Sequence, residues 1–351
     1  MSIIHCLGSG LVGSFVIKKL LEEKIKVNLV DIEDKGKFIE NDYLTIHVTD
    51  AIEYCKNISN VDELFVNMLP GNLGYKATEI LITKGKRVID LSFSEITPDS
   101  LNEKAIDSGA KILWDVGIAP GFSNMLIAYA SRLGGGISNA EIRVGGNPVE
   151  KDEKWSYMAP FSPKDVIAEY TRPARIIKSG KIMTLPALTD IHKINVKQAG
   201  VMESFLTDGL RSLLSTIPAE DMTEYTVRWP GHIQRYIDER NANILDYEQL
   251  IKDWKYDKSR SEFTWMEVKV NCMNGENMVW TVYDQGKDGD SSMARTTGLV
   301  TASCIKQWIS NPELIQVGVH PPESLPNHVI ANISQLLKDE GIEINGPGII
   351  L

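Results

Sequence analysis

Cysteine is scarce in this chain of 351 residues: four, at positions 6, 55, 272 and 304, far apart and in neither CxxC nor Cys/His ligand spacing. That excludes a disulfide framework and a structural zinc site, and it suits reduced core residues. The six histidines show no metal-ligand spacing either, and neither a GxSxG nucleophile elbow nor a Walker pattern occurs. No apolar run approaches the ~20 residues of a membrane helix, and an apolar strand pattern begins at residue 3 with no room for a signal peptide, so a soluble cytoplasmic protein without membrane contact is expected. The 37 basic residues are scattered among 47 acidic ones, for a net charge of −10, which argues against a nucleic-acid surface and leaves a small molecule as the expected ligand. Repeats and low-complexity segments are missing as well. The length suits two domains on the usual prior of roughly 150 residues each.

What is present begins at Ile3. An apolar run (Ile3, Ile4, Cys6, Leu7) leads into Gly8-Ser9-Gly10-Leu11-Val12-Gly13, then an amphipathic stretch to Glu23 and a second apolar run, Val27 to Val30, ending in Asp31. A strand, a glycine turn, a helix and an acid-terminated strand are the context that makes GxGxxG a dinucleotide site. Gly8 serves the tight turn, Gly10 the close approach of backbone to pyrophosphate and Gly13 the packing of helix on strand, while the amides of Leu11 and Val12 open the helix towards the phosphates. A carboxylate at Asp31 accepts from a ribose 2′-hydroxyl and repels a 2′-phosphate, so NAD is the expected cofactor, with Lys35 and Lys37 close behind it as a weakening influence.

Strand and helix patterns keep alternating, as in a parallel, helix-covered sheet. Thr45 to Val48 reads as a third strand, followed by Asp50, which suits either a helix cap or a contact to the adenosine half. Leu64 to Leu69 is a fourth strand running into Pro70-Gly71, and Asn67, Leu69 and Pro70 are expected beside the cofactor at the sheet's switch point. Strands at Arg87 to Leu91 and Lys111 to Trp114 complete six. Beyond Asp115 the pattern changes to strands at Ala140 to Val144, Ala174 to Lys178, Lys181 to Leu185, Glu224 to Trp229, Thr264 to Cys272 and Met278 to Tyr283, with a type I′ hairpin expected at Asn274-Gly275. The expected fold is therefore α/β: a Rossmann doubly wound parallel sheet over residues 1–120, completed by about 292–351, and a second, α+β domain over 121–291 built on a mostly antiparallel sheet.

Three segments offer groups for chemistry. Asp115 to Asn124 follows the sixth strand and either passes the nicotinamide end of the groove or is an ordinary Gly/Pro-punctuated crossing loop. Glu169, Tyr170 and Arg172 crowd a carboxylate, a phenol and a guanidinium together, which a solvated helix end explains as well as a site does. Thr226 to His232 delivers Arg228, suited to forking a carboxylate, and His232, able to take a proton near neutrality, into a Pro-Gly turn.

Taken together, GSGLVG, NMLPG, VIDLS, DVGIAPGFSN, EYTRPA, TVRWPGH, MARTTG and GVHPPESL resemble the saccharopine dehydrogenase family, in particular its lysine 6-dehydrogenase-like members, over nearly the whole chain. The resemblance implies NAD(P)-dependent oxidation or reduction of a C–N bond in an amino acid with a second amino group, and it puts Asp115, Glu169, Tyr170, Arg228 and His232 around the substrate. Ala119 stands where saccharopine-forming reductases usually carry an acid, which suits the lysine 6-dehydrogenase-like branch. The expected activity is NAD-dependent oxidation of L-lysine to its 6-semialdehyde with release of ammonia by a homodimer. His232 is the first expected proton acceptor, Glu169 the second and Arg228 the carboxylate anchor. A saccharopine- or carboxynorspermidine-type reductase and a non-catalytic dinucleotide-binding regulator are the alternatives.

Overall fold

Short strands of four and five residues, two of them buried at every position, decide the architecture of the first half. In the computed structural model, which describes residues 3–59 and 63–350, β1 (Ile4–Leu7), β2 (Val27–Asp31), β3 (Leu44–Val48), β4 (Leu64–Asn67), β5 (Arg87–Asp90) and β6 (Lys111–Trp114) follow one another with helices between them. β1 and β4 are buried at every residue, as strands covered on both faces must be. They are followed in the chain by β7 (Ile137–Pro148), β8 (Ala174–Lys178), β9 (Lys181–Leu185), β10 (His192–Val196), β11 (Gly200–Leu206), β12 (Asp221–Arg228), β13 (Glu262–Cys272), β14 (Asn277–Gln285), β15 (Gly318–His320) and β16 (Glu343–Asn345).

The strands form two sheets. The first is parallel throughout, in the order β15-β6-β5-β4-β1-β2-β3, a doubly wound sheet whose direction of winding reverses beside β1. Its helix-covered core includes Leu7, Val30, Phe65, Leu81, Val88, Ile112 and Trp114. The seventh strand, β15, lies outside the sequence reading. The second sheet runs β10-β11-β12-β7-β13-β14-β16, with the β8–β9 hairpin attached to β12. Every pairing in it is antiparallel except β12 with β7. The hairpin expected at Asn274-Gly275 is present with a different turn: only Gly275 is left-handed, at φ 89°, and Gly275 N bonds Cys272 O while Cys272 N bonds Glu276 O. That is the three-residue loop in which a type I turn ends in a left-handed glycine, rather than type I′.

Two compact units result. One holds the chain up to Met125 together with Ala294–Leu336, and the other holds Leu126–Met293 with Leu337–Ile349. The return of the C-terminal segment to the nucleotide unit has specific ties: Thr301 Oγ1 donates to Val116 O at 3.0 Å and Asn124 Nδ2 to Glu323 Oε2 at 3.4 Å. The expectation that all of 292–351 completes that unit is corrected, because β16 adds to the edge of β14, Ile344 opposite Val282. No helix among the described residues is long and apolar enough to cross a membrane.

Within the second unit, the buried Glu262 carboxylate at the start of β13 accepts from Ser292 N at 2.6 Å and from its hydroxyl at 2.5 Å, and so holds the first residue of the helix Ser292–Ser310. Removing a charged acceptor from buried donors costs about 1–3 kcal/mol. Glu262→Ala is therefore expected to lower the urea midpoint by an amount equivalent to about 2 kcal/mol with an unchanged m-value. An unaltered midpoint would show that this cap is dispensable.

Candidate active site

In the nucleotide unit the glycine turn meets the demands of a dinucleotide sterically. Gly8 takes φ 94°. A Cβ on Gly13 would lie 2.4 Å from Gly8 O, whereas one on Gly10 would meet nothing within 4 Å. The helix Leu11–Glu22 is thus pressed against the turn at its third glycine and open at its second. No side chain caps its N-terminus, so the amides of its first turn, Leu11 and Val12 among them, are available to a phosphate. Asp31 sits at the end of β2, where its Oδ2 accepts from Ser9 N at 2.8 Å, Ser9 Oγ at 2.6 Å and Lys35 Nζ at 2.8 Å. Burial pushes this carboxyl up, but the bonds from Lys35 and Ser9 outweigh it and hold the group at about 2, so it is ionised at neutral pH. These residues fit a nicotinamide dinucleotide.

The second expected cofactor segment lies against the first: a Cβ on Gly8 would stand 3.1 Å from Met68 O and 3.5 Å from the Leu69 side chain. Leu69 is half-buried and Pro70 exposed. Asn67 is a correction. It is fully buried, donating Nδ2 to Gly74 O at 2.8 Å and to Thr78 Oγ1 at 2.9 Å, so its amide braces the turn and has no donor left for a ligand. Thr78 in turn donates to Asp90 at 2.6 Å, which also accepts from Ser92 N and Oγ. Asp50 resolves as the cap of the helix Ala51–Asn57, accepting from Ile52 N and Glu53 N. Asp115 is buried in the left-handed region at φ 53°. Burial first, and the Asp115 charge as a further cause, raise the Asp90 carboxyl above the usual range, which makes the two acids neighbours in this unit.

The second unit assembles the other candidates around one buried guanidinium. Arg228 ends β12 and is 3% exposed. Its Nε donates to Tyr170 Oη at 2.9 Å, Nη1 to Val227 O at 3.0 Å, and Nη2 to Glu169 Oε2 at 2.9 Å and to Tyr157 Oη at 3.4 Å. The guanidinium carbon also lies 4.4 Å from the Tyr157 ring centroid. Four of its five N–H donors are thereby engaged, which corrects the expectation of a fork free to take a substrate carboxylate. Glu169 and Tyr170 arrive from the last turn of the helix Pro163–Thr171, and Arg172 is the residue that ends it.

His232 is a second correction. It opens the helix His232–Asn241 and is buried, with Nδ1 2.8 Å from Trp155 O and Nε2 2.9 Å from Tyr170 Oη. A carbonyl can only accept, so the proton is on Nδ1, Nε2 accepts from the phenol, and the phenol accepts from Arg228. The ring is enclosed by Trp155, Tyr157, Tyr170 and Trp254. Burial, then the Arg228 charge, push it down to about 3 against the help of the Trp155 carbonyl. Neutral, enclosed and with both nitrogens engaged, His232 is a bracing residue and not the proton acceptor expected from sequence. Glu169 is different: its side chain is 16% exposed, and burial raises its carboxyl in spite of Arg228 and Arg172. Tyr157, Trp155 and the buried Glu224, whose carboxyl burial pushes up to about 8, escaped sequence reading. Only the run of aromatics at Trp155 and Tyr157 offered a signal.

Two outcomes follow. The unfolded chain takes up a proton at His232 near pH 6.5 that the folded chain refuses until about 3, so this residue withdraws stability as pH falls through that window. Stability measured by urea unfolding from pH 7.5 to 4 should therefore fall less steeply in His232→Gln than in wild type, whatever the variant loses at pH 7.5; parallel curves would show the histidine is not held neutral. In the other unit, Asp31→Ala should weaken NAD and raise the NADP to NAD affinity ratio, read by calorimetric titration. A wild type that already prefers NADP several-fold would contradict the role given to Asp31.

The sequence model of the saccharopine dehydrogenase C-terminal domain matches residues 117–342, well over half of the chain. Among solved structures, the fold is similar to apo saccharopine dehydrogenase (L-Glu forming) from Saccharomyces cerevisiae, at 16% identity and a TM-score of 0.73, covering 99% of this chain and 100% of that one. It is similar also to a homospermidine synthase from Legionella pneumophila in complex with NAD, at 13% identity and a TM-score of 0.68, covering 99% of this chain and 91% of that one. With the family model spanning the segments that carry Glu169, Tyr170, Arg228 and His232, this chain belongs to the saccharopine dehydrogenase family.

Proposed function

We propose that this chain is an NAD-dependent amino-acid dehydrogenase that oxidises the C–N bond of a side-chain amine, with L-lysine as substrate. The observation that carries the reading is Glu169, a partly accessible carboxyl raised by burial and anchored by a buried arginine, in a chain whose nucleotide unit has a glycine turn that fits a dinucleotide. When bound there, the dinucleotide supplies the hydride acceptor.

The chain's own residues then handle charge and protons. An ε-ammonium has an unperturbed pKa of about 10.4 and no lone pair, so it must lose a proton before its carbon can give up hydride. Glu169 takes that proton, and Arg228, itself fixed by Tyr170, holds the carboxylate in place for it. Because the Arg228 donors are engaged within the protein, the substrate's α-carboxylate falls to Arg172, whose charge also bears on Glu169. The imine left on the substrate takes up water and releases ammonia, giving the 6-semialdehyde. Cytoplasmic location and a homodimer accompany this reading.

The test is NADH appearance with lysine, ornithine, saccharopine and cadaverine from pH 7 to 10. Turnover with lysine should climb with pH, since both the Glu169 carboxylate and the free amine are favoured by alkali. Glu169→Gln should cut turnover by something like 10²- to 10⁴-fold with NAD binding intact. Arg172→Lys should raise the Michaelis constant for lysine, a point charge replacing a planar fork, and cadaverine, lacking the carboxylate, should be poor. Cadaverine oxidised as well as lysine would remove the anchor. NADH formed from saccharopine but not from lysine would move the chain to the saccharopine-type reaction.

A further inference from the structure

Past their last paired residues, β7 and β12 are joined by side chains. The parallel register of the two strands runs from Asn139 opposite Asp221 to Val144 opposite Thr226 and stops there, while β7 continues against β13 as far as Pro148. Two reciprocal bonds take over: Asn147 Nδ2 donates to Val227 O at 3.2 Å, and Trp229 Nε1 donates to Pro148 O at 2.8 Å. Gly145 makes room for the first of them. A Cβ there would lie 2.3 Å from Val227 O and 3.0 Å from Asn147 Nδ2, so any other residue would displace the carbonyl or the amide that holds it.

Val227 O has a second donor, and that donor leads to the site. Arg228 Nη1 reaches back to it at 3.0 Å, and Nη2 of the same guanidinium holds Glu169 Oε2 at 2.9 Å. Resting on the reading of Glu169 as the proton acceptor, we propose that Asn147 is a positioning residue for it: by fixing the Val227 carbonyl, its carboxamide sets the direction in which Arg228 presents Nη2 to the Glu169 carboxylate. Stability alone does not account for a carboxamide at this place. Asn147 is 2% exposed, and its Oδ1 meets no donor among the described residues; a buried polar atom left in that state costs free energy that an apolar side chain of the same branching avoids. The charged and titratable groups that bear on Glu169 are Arg228 and Glu224 from β12, Arg172 and Asp165 from its own helix and the segment after it, and the phenols Tyr157 and Tyr170. Burial raises the Glu169 carboxyl, and Arg228 is the largest influence against it. An arginine that loses its aim therefore leaves burial less opposed, and the carboxyl moves further up.

The test is the titration of Glu169 itself, followed by carbon-13 NMR of the full chain carrying carboxyl-labelled glutamate, with Glu169→Gln to identify the resonance. Asn147→Leu, branched like the carboxamide but lacking the donor, should move the midpoint of this resonance to higher pH. With lysine, the same variant should lower turnover at pH 7.5 by about fivefold, the worth of one hydrogen bond, with the deficit closing towards pH 10 and NAD affinity unchanged. Asn147→Ala, which cannot overfill the site, should shift the resonance in the same direction. An unmoved Glu169 titration in either folded variant overturns the proposal, as does failure of both to fold, which would make Asn147 a support of the sheet and nothing more. Because the resonance is read without substrate, a wild type that leaves lysine untouched removes the proposed reaction and not this coupling.

Discussion

A guanidinium taken out of water has to be paired and hydrogen-bonded, or the fold around it fails by several kcal/mol. Arg228 is such a group, and the form of the second unit's site follows from satisfying it. Its charge draws Glu169 to Nη2, its Nε–H fixes the Tyr170 phenol, and its face is covered by Tyr157. The phenol, having accepted from arginine, must donate onward, and His232 is the acceptor. The imidazole is therefore kept neutral for two reasons that act together, burial and a neighbouring positive charge. Within this chain of contacts, Glu169 combines a titratable group with some exposure.

The nucleotide unit obeys a steric constraint where the other obeys an electrostatic one. At 2.4 Å from Gly8 O there is no room for any Cβ on residue 13, so helix and turn close on each other through bare backbone, leaving Gly10 open for a phosphate. Beneath that turn a buried relay of Asn67, Thr78, Asp90 and Ser92 ties two strand ends to the helix Gly71–Thr83. Its hydrogen bonds are internal, and they hold the surface that a cofactor meets rather than forming it.

Where local pattern and local cause coincide, the sequence was legible. β1 to β6 are short runs between turn residues, each readable without knowing its partners, and Gly13 acts on an atom of Gly8, in the same turn. The missed strands are of another kind. β15 and β16 span three residues each, too few to show alternation, and exist because β6 and β14 offer them an edge. β10 and β11 pair with each other at the sheet's margin, with His192, Lys193, Asn195 and Glu203 in place of an apolar stripe, so periodicity does not mark them.

The site divides along the same line. Sequence by itself determined the glycine turn with Asp31 at the next strand's end, and that Glu169, Tyr170, Arg228 and His232 were groups capable of chemistry, because those are properties of residue type and near spacing. Which of them keeps an accessible lone pair was decided only by tertiary structure. Trp155 lies 77 positions from His232 and Tyr170 lies 62, yet they occupy both its nitrogens; Glu169, 59 positions from Arg228, is the group the pairing leaves part-exposed. Availability of a lone pair depends on burial and on partners brought together from distant parts of the chain, and neither quantity is written in the local sequence.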